Sequence, residues 1–195
     1  MDDSHPVRWT YILIGFIVFI FVLQNLTTTW GIFVFYPAYA FKYPWMFITS
    51  IFFHAGVDHI LVNMLVFFYF GTYLERSIGS KRLLLVFFLA GIIGNFGYLI
   101  TSTNPYVPAL GASGAIYGVM GTLAVLEPFL IVYIGFIVPV PMILAMLGYA
   151  ALDLAGLFAP SDVAHGAHIA GLAVGVLFGL YLRSRVKNRD VRALN

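Results

Sequence analysis

Near its C-terminal end the chain carries the stretch GAHIAGLAVGVLFGLYL, residues 166–182. The stretch contains no Asp, Glu, Lys or Arg, and an apolar run of about this length crosses the hydrocarbon core of a bilayer as a helix. Gly171, Gly175 and Gly179 recur at every fourth position, and such stripes of small residues let helices approach closely in lipid. The stretch therefore predicts a transmembrane helix that packs closely against a neighbour.

The composition of the whole chain extends this interpretation. Of its 195 residues, 62% are apolar and only 9% are charged, whereas an average soluble domain has about a quarter of its residues charged. So few charges cannot cover the surface of a water-soluble globule. The formal net charge of +2 does not favour a nucleic-acid partner. The absence of cysteine excludes disulfides, thiolate metal sites and a cysteine nucleophile. The class that remains is an integral membrane protein.

Long charge-free runs, separated by charges, prolines and polar turns, predict an all-α polytopic bundle of six transmembrane helices in one membrane domain, residues 1–195. The aromatic-rich link at 27–56 contains two prolines and a lysine, and we expect it to lie at the membrane interface. A basic tail follows the last span at 183–195. The six predicted spans are residues 9–26, 57–74, 83–100, 113–127, 129–152 and 166–182.

Basic residues are distributed unevenly over the predicted loops. Arg76, Lys81 and Arg82 follow the second span, and five more Lys or Arg lie in the tail. The loops at 101–112 and 158–165 have none. The positive-inside rule therefore predicts a multi-pass protein of the cell membrane with both termini in the cytoplasm.

Polar side chains inside predicted spans are costly and mark functional sites. His59 and Asn63 lie four residues apart on one face of the second span. Ser113 begins the fourth span, and His168 lies near the start of the sixth. A helix rises 1.5 Å per residue, so the number of residues between each side chain and the cytoplasmic charges of its span gives its height above those charges. The heights are about 24 Å for His59, 18 Å for Asn63, 21 Å for Ser113 and 22 Å for His168. They therefore form one layer below the outer surface of the membrane.

This layer has the components of nucleophilic catalysis. A serine hydroxyl needs an adjacent base to take its proton, and the His168 imidazole is the base at the height of Ser113. The N–H at the start of the fourth helix can donate a hydrogen bond to an oxyanion, and the helix dipole adds positive potential there. The His59 imidazole and the Asn63 amide supply further donors from the second span.

We expect no carboxylate beside His168. Asp58 and Asp162 are predicted at the outer surface, and Asp153 is assigned to the fifth span. The prediction is therefore a dyad of one serine and one histidine. Tyr117 lies one turn below the serine and is a candidate support for the imidazole ring.

Three motifs, in this order along the chain, resemble those of the rhomboid family of intramembrane serine proteases. They are HAGVDHILVN at residues 54–63, GASGAIYG at 111–118 and AHIAGLAVG at 167–175. The resemblance extends over about residues 47–182. It implies the rhomboid-like six-helix fold, with Gly111 and Gly114 on either side of the nucleophile.

The resemblance also implies what the site does. Ser113 would be the nucleophile, His168 the general base, and His59 with Asn63 the oxyanion donors. No metal or other cofactor is implied. The substrates would be transmembrane segments of other membrane proteins, cleaved near the outer face, and the loop at 158–166 would act as a lid.

Other interpretations stay open. A small channel or transporter also places polar groups inside a helical bundle, but it predicts a carboxylate or an ion pair there. A catalytically inactive, substrate-binding relative would lack Ser113 or His168, and both are present. Tyr117 is equally well a core residue, His54 is expected to hold the first loop, and His165 has no assigned role.

Overall fold

The computed structural model describes residues 6–27, 29–135, 137–159 and 161–193, with side chains described as far as residue 185. Over these residues the predicted fold class is confirmed, because apolar helices make up most of the chain and pack as a polytopic bundle. Four of the described helices are long and apolar enough to cross a membrane.

The described residues form seven α-helices and one β-hairpin. The four long apolar helices are α1 Trp9–Leu26, α3 Val57–Ile78, α4 Ser80–Thr101 and α7 His165–Ala193. Two shorter apolar helices, α5 Ser113–Leu126 and α6 Met142–Gly156, complete the bundle, and α2 Met46–Thr49 is a single turn. The number of membrane crossings made by the two short helices stays a prediction.

The predicted fifth helix at 129–152 is wrong over its first half. Ile131–Ile134 (β1) and Val138–Pro141 (β2) instead form an antiparallel hairpin, and α6 begins only at Met142. The two prolines of β2 explain the difference, because proline lacks the N–H that a helix interior requires but is tolerated in an edge strand. The prolines therefore delay the start of the helix to Met142.

Two other helices run past their predicted ends. The helix α3 continues to Ile78, where Gly79 adopts a φ of 83° and ends it. The helix α7 does not stop at residue 182 but continues to Ala193. The predicted basic tail is therefore helical over 183–193, while residues 194 and 195 lie outside the described part of the chain. Its cytoplasmic location stays a prediction.

The link at 27–56 contains only short helical turns among its described residues. These include the 3-10 turns Trp30–Phe33, Pro37–Tyr39 and Ser50–Phe52. Phe35 pairs with Ala109 through two backbone hydrogen bonds of 3.0 and 2.8 Å. The link is thus fastened to the segment that leads into α5, and its placement at the membrane interface stays a prediction.

The helix α5 lies at the centre of the bundle, in contact with both α4 and α7. A Cβ atom at Gly171 would collide with the backbone carbonyl of Gly114, and one at Gly175 would collide with that of Gly118. Glycine at these positions allows the backbones of α5 and α7 to touch. The stripe of small residues predicted from the sequence is therefore the seam between these two helices.

A buried carboxylate joins α1 to α3. Glu75 is fully buried and accepts hydrogen bonds from the backbone N–H groups of Trp9 and Thr10, both at 2.9 Å. It also accepts from the hydroxyls of Thr10 and Ser80, both at 2.7 Å. The first N–H groups of a helix have no partner within the helix, so this one side chain caps α1 and fixes it against the end of α3.

Replacing Gly171 by alanine should destabilise the bundle by about 1–3 kcal/mol, because the added methyl group pushes α7 away from the α5 backbone. The unfolding temperature of the purified protein in detergent measures this effect. The matched control is Gly148→Ala in α6, where a Cβ would meet no atom within 4 Å. The control should be neutral or more stable, since alanine favours a helix interior over glycine. Equal unfolding temperatures for the two variants would show that the seam does not depend on close approach.

Candidate active site

Ser113 is the first residue of α5, and the preceding turn depends on glycine. Gly111 has a φ of +123°, a conformation that residues with a Cβ rarely adopt. A Cβ at Gly111 would also lie 2.8 Å from the His59 ring. The Gly111 N–H donates to the Ser50 carbonyl at 2.9 Å. The turn therefore holds Ser113 at a fixed position beside α3.

His168 lies one turn into α7 and faces Ser113 across the glycine seam. The Ser113 Oγ lies 2.8 Å from His168 Nε2, which is within hydrogen-bond distance. The Tyr117 ring stacks on the imidazole, with centroids 4.3 Å apart and planes 11° apart. The structure thus brings together the hydroxyl and the imidazole that the sequence places at one height, with the aromatic ring from one turn below the serine.

The prediction that no carboxylate lies beside His168 is wrong. The Asp153 Oδ1 lies 3.0 Å from His168 Nδ1, so the ring N–H can donate to the carboxylate. Because α6 ends at Gly156, Asp153 falls three residues before the end of α6, and His168 falls three residues after the start of α7. Equal distances from the connecting loop place the two residues beside each other in neighbouring helices.

The sequence prediction misses Asp153 because it assigns this residue to the fifth span without counting its height. The signal lies in the spacing from the connecting loop, which pairs Asp153 with His168 when counted from the ends of α6 and α7 in the structure. The predicted span ends at residues 152 and 166 do not give this pairing.

The same carboxylate oxygen contacts a second histidine. His165 Nδ1 lies 2.7 Å from Asp153 Oδ1, and His165 Nε2 lies 2.9 Å from the Ser161 hydroxyl. Ser161 belongs to the loop that connects α6 to α7, of which residue 160 lies outside the described residues. The predicted lid at 158–166 therefore includes the first two residues of α7, and its role as a lid stays a prediction. A chain of hydrogen bonds therefore leads from this loop through Asp153 to His168 and Ser113.

His59 and Asn63 face the same cavity as Ser113 and His168. Asn63 is buried, and one N–H of its amide donates to the His59 carbonyl at 2.9 Å, which leaves its second N–H for another acceptor. His59 Nδ1 accepts the N–H of Ala55 at 3.3 Å. This contact assigns the ring proton of neutral His59 to Nε2, so that Nε2 is a donor.

The cavity has a volume of about 770 Å³ and lies among α3, α5, α6 and α7. Apolar side chains of α3 that are exposed on the outside of the bundle, among them Val62 and Leu65, also line it. Its polar lining includes Ser113, His168 and Asn63. The Ser113 hydroxyl therefore faces a cavity that also borders exposed side chains of α3.

His54 is fully buried and lies in the link before α3, outside the membrane-spanning helices. Its Nε2 accepts the N–H of Ala112 at 3.4 Å, which supports the turn before Ser113. Burial, with a smaller contribution from the neighbouring His59, lowers the pKa of His54 from 6.5 to about 4. The ring is therefore a neutral acceptor at neutral pH. The expectation that His54 holds the first loop agrees with this contact.

The comparisons with known proteins point to one family. A family model described as the Rhomboid domain matches residues 42–185. The rhomboid protein YdcA of Bacillus subtilis is 37% identical over 145 residues, which cover 74% of this chain and 70% of that protein. Rhomboid protein 1 of Saccharomyces cerevisiae mitochondria is 30% identical over 98% of this chain and 58% of its own length.

A further relative, the rhomboid protease GluP of Bacillus subtilis, is 36% identical over 67% of this chain but only 24% of its own length. The chain is thus a multi-pass membrane protein of a class that includes proteases. It belongs to the rhomboid family.

Protonation of His54 should make the protein less stable in mild acid. The unfolded chain binds a proton at His54 below about pH 6.5, whereas the folded protein resists it down to about pH 4, so stability is lost as the pH falls through this window. Unfolding temperatures at pH 7.5 and 4.5 measure the loss. His54→Gln removes the titrating ring, and the decrease between the two pH values should be smaller for this variant. The same decrease in both proteins would contradict a buried neutral His54.

Proposed function

We propose that the protein is an intramembrane serine endopeptidase that cleaves transmembrane segments of other membrane proteins. The observation that carries the proposal is the 2.8 Å contact between Ser113 Oγ and His168 Nε2 in the lining of a cavity that the helices α3, α5 and α6 also border. The family includes relatives named as proteases, and GluP is one of them.

In the first step, Ser113 Oγ attacks the carbonyl carbon of the scissile peptide bond while His168 Nε2 takes the hydroxyl proton. The imidazolium that forms donates its Nδ1–H to Asp153, whose negative charge stabilises it. Asp153 and the stacked Tyr117 therefore hold the ring in the orientation in which Nε2 faces the serine. The proposed apparatus is a dyad with a carboxylate as a positioning group.

The negative charge on the carbonyl oxygen requires donors that are already in place. The N–H of Ser113 is among the first N–H groups of α5, which have no partner within the helix. The free N–H of Asn63 and the Nε2–H of His59 reach the cavity from α3. We assign these three groups to the oxyanion.

The tetrahedral intermediate collapses when the C–N bond breaks and His168 returns its proton to the leaving amine. The N-terminal part of the substrate then remains as an ester on Ser113. Water enters through the cavity, His168 deprotonates it, and its attack releases the acid and restores the serine. With the orientation predicted from the basic residues, the cut falls near the outer face of the membrane.

A proton-conducting transporter is the second candidate. The Asp153 carboxylate contacts the imidazoles of His165 and His168, and chains of carboxylates and imidazoles inside a bundle conduct protons in such proteins. An activated serine nucleophile has no role in a transporter. Reaction with a serine-directed phosphonate therefore separates the two functions.

A fluorophosphonate probe should label the wild-type protein and fail to label Ser113→Ala, because only a hydroxyl activated by His168 displaces fluoride from phosphorus at an appreciable rate. In-gel fluorescence of the purified protein in detergent measures the labelling. Ser77→Ala removes a serine hydroxyl that bonds within α3 and should label like wild type. Equal labelling of wild type and Ser113→Ala would refute the assignment of the nucleophile.

Replacing Asn63 by alanine should lower kcat for a transmembrane substrate by about 10²–10³, with a smaller effect on KM, because the amide is proposed to bind the oxyanion rather than the ground state. Asn25→Ala is the matched control, since the Asn25 amide also donates to a carbonyl four residues earlier but lies on the exposed surface. An unchanged kcat in Asn63→Ala would remove Asn63 from the oxyanion site.

A further inference from the structure

Three potential metal ligands converge at the junction of α6 and α7. Asp153 Oδ1 lies 2.7 Å from His165 Nδ1 and 3.0 Å from His168 Nδ1. One ligand atom from each of the three residues lies within 4.8 Å of the other two. The proposed mechanism uses only the contact between Asp153 and His168, so His165 is left without a function.

A second observation concerns the other oxygen of the same carboxylate. Asp153 is 4% exposed, and its Oδ2 is buried and accepts no hydrogen bond from the described residues. The Tyr117 hydroxyl interacts with the carboxylate but does not satisfy Oδ2. A buried oxygen without a partner is unfavourable, and a cation bound beside it would remove that cost.

The ligand set favours zinc over magnesium and calcium. Two imidazole nitrogens and one carboxylate oxygen are typical of zinc, which takes three protein ligands and a water molecule in tetrahedral geometry. Ligands of one zinc ion lie about 3.4 Å apart, so small rotations of these side chains suffice to place the three donors around it. Magnesium and calcium prefer six or more oxygen ligands, which this cluster does not offer.

We propose that Asp153, His165 and His168 form an inhibitory Zn²⁺ site, a regulation that rests on the proposed function of Ser113 and His168. When the ion takes the lone pair of His168 Nδ1, the proton of the neutral ring resides on Nε2. Nε2 then donates and cannot take the proton of Ser113. The ion is an inhibitor, and the proposed chemistry does not require it.

The cavity gives the ion a route to the site. His168, Ser161 and Asp162 line it, the last two are exposed, and the Ser161 hydroxyl lies 2.9 Å from His165 Nε2. The carboxylate of Asp162 gives this part of the cavity a negative charge that attracts cations.

Binding of Zn²⁺ alone can be measured by calorimetry on the full chain in detergent, purified without a histidine tag. Wild type and Ser113→Ala should each bind one ion, because the serine is not a ligand. His165→Asn should weaken binding by about 10–100-fold or more. His59→Asn is the matched control, since it removes a histidine of the same cavity that is not a ligand, and its affinity should equal that of wild type. Equal affinity of His165→Asn and wild type, or loss of binding in His59→Asn, would overturn the site.

Inhibition supplies a second measurement. Zn²⁺ should suppress fluorophosphonate labelling of the wild-type protein. The His165→Asn variant should need about tenfold more Zn²⁺ for the same fractional loss of labelling. The labelling of each protein is compared with its own labelling without zinc. Equal sensitivity of the two proteins refutes the inhibitory role. If Ser113 is not labelled even without zinc, the proposed function fails, while the calorimetric result still decides whether the site exists.

Discussion

The contact between the Ser113 hydroxyl and the His168 imidazole joins two different helices, so it exists only if α5 and α7 lie with their backbones in contact. Gly171 and Gly175 meet the carbonyls of Gly114 and Gly118 along this seam. Lipid provides no hydrophobic driving force for such contact, and close packing of small residues replaces it. The glycine stripe therefore makes the contact between Ser113 and His168 possible, in addition to packing the two helices together.

The segments around this seam are held by buried polar contacts. The side-chain amide of Asn95 in α4 donates to the Phe47 carbonyl at 2.8 Å and to the Ser50 hydroxyl at 2.9 Å. The backbone N–H of His54 donates to the side-chain carbonyl of Gln24 at 3.1 Å. Such bonds fix a link that has no long helix of its own. Two buried polar side-chain atoms of the described residues have no partner, His54 Nδ1 and Asp153 Oδ2. Both atoms belong to residues that contact the candidate site. Buried polar atoms without a hydrogen-bond partner are typical of functional sites.

Much of this arrangement could be predicted from the sequence, because the rules involved are local. Charge-free runs indicate helices, and a fixed rise per residue relates Ser113 to His168. The predicted dyad needed, besides these two rules, the cost of polar side chains inside a span and the need of a serine nucleophile for a base. The β-hairpin could not be found in this way, since the apolar run from residue 129 has the composition of a span and only its prolines forbid the helix. The Asp153 carboxylate is missed for another reason, because its position beside His168 depends on where α6 ends and α7 begins. Contacts of the link, such as Phe35 with Ala109, join residues distant in sequence, and no local pattern indicates them.

The most direct test of the account is an experimental structure of the protein after reaction with a fluorophosphonate. The account predicts a phosphorus atom bonded to Ser113 Oγ, with the phosphonyl oxygen about 2.7–3.1 Å from the Ser113 N–H and the Asn63 amide. His168 should remain between Ser113 and Asp153. An adduct on another residue, or a phosphonyl oxygen turned away from α3 with no protein donor, would contradict it.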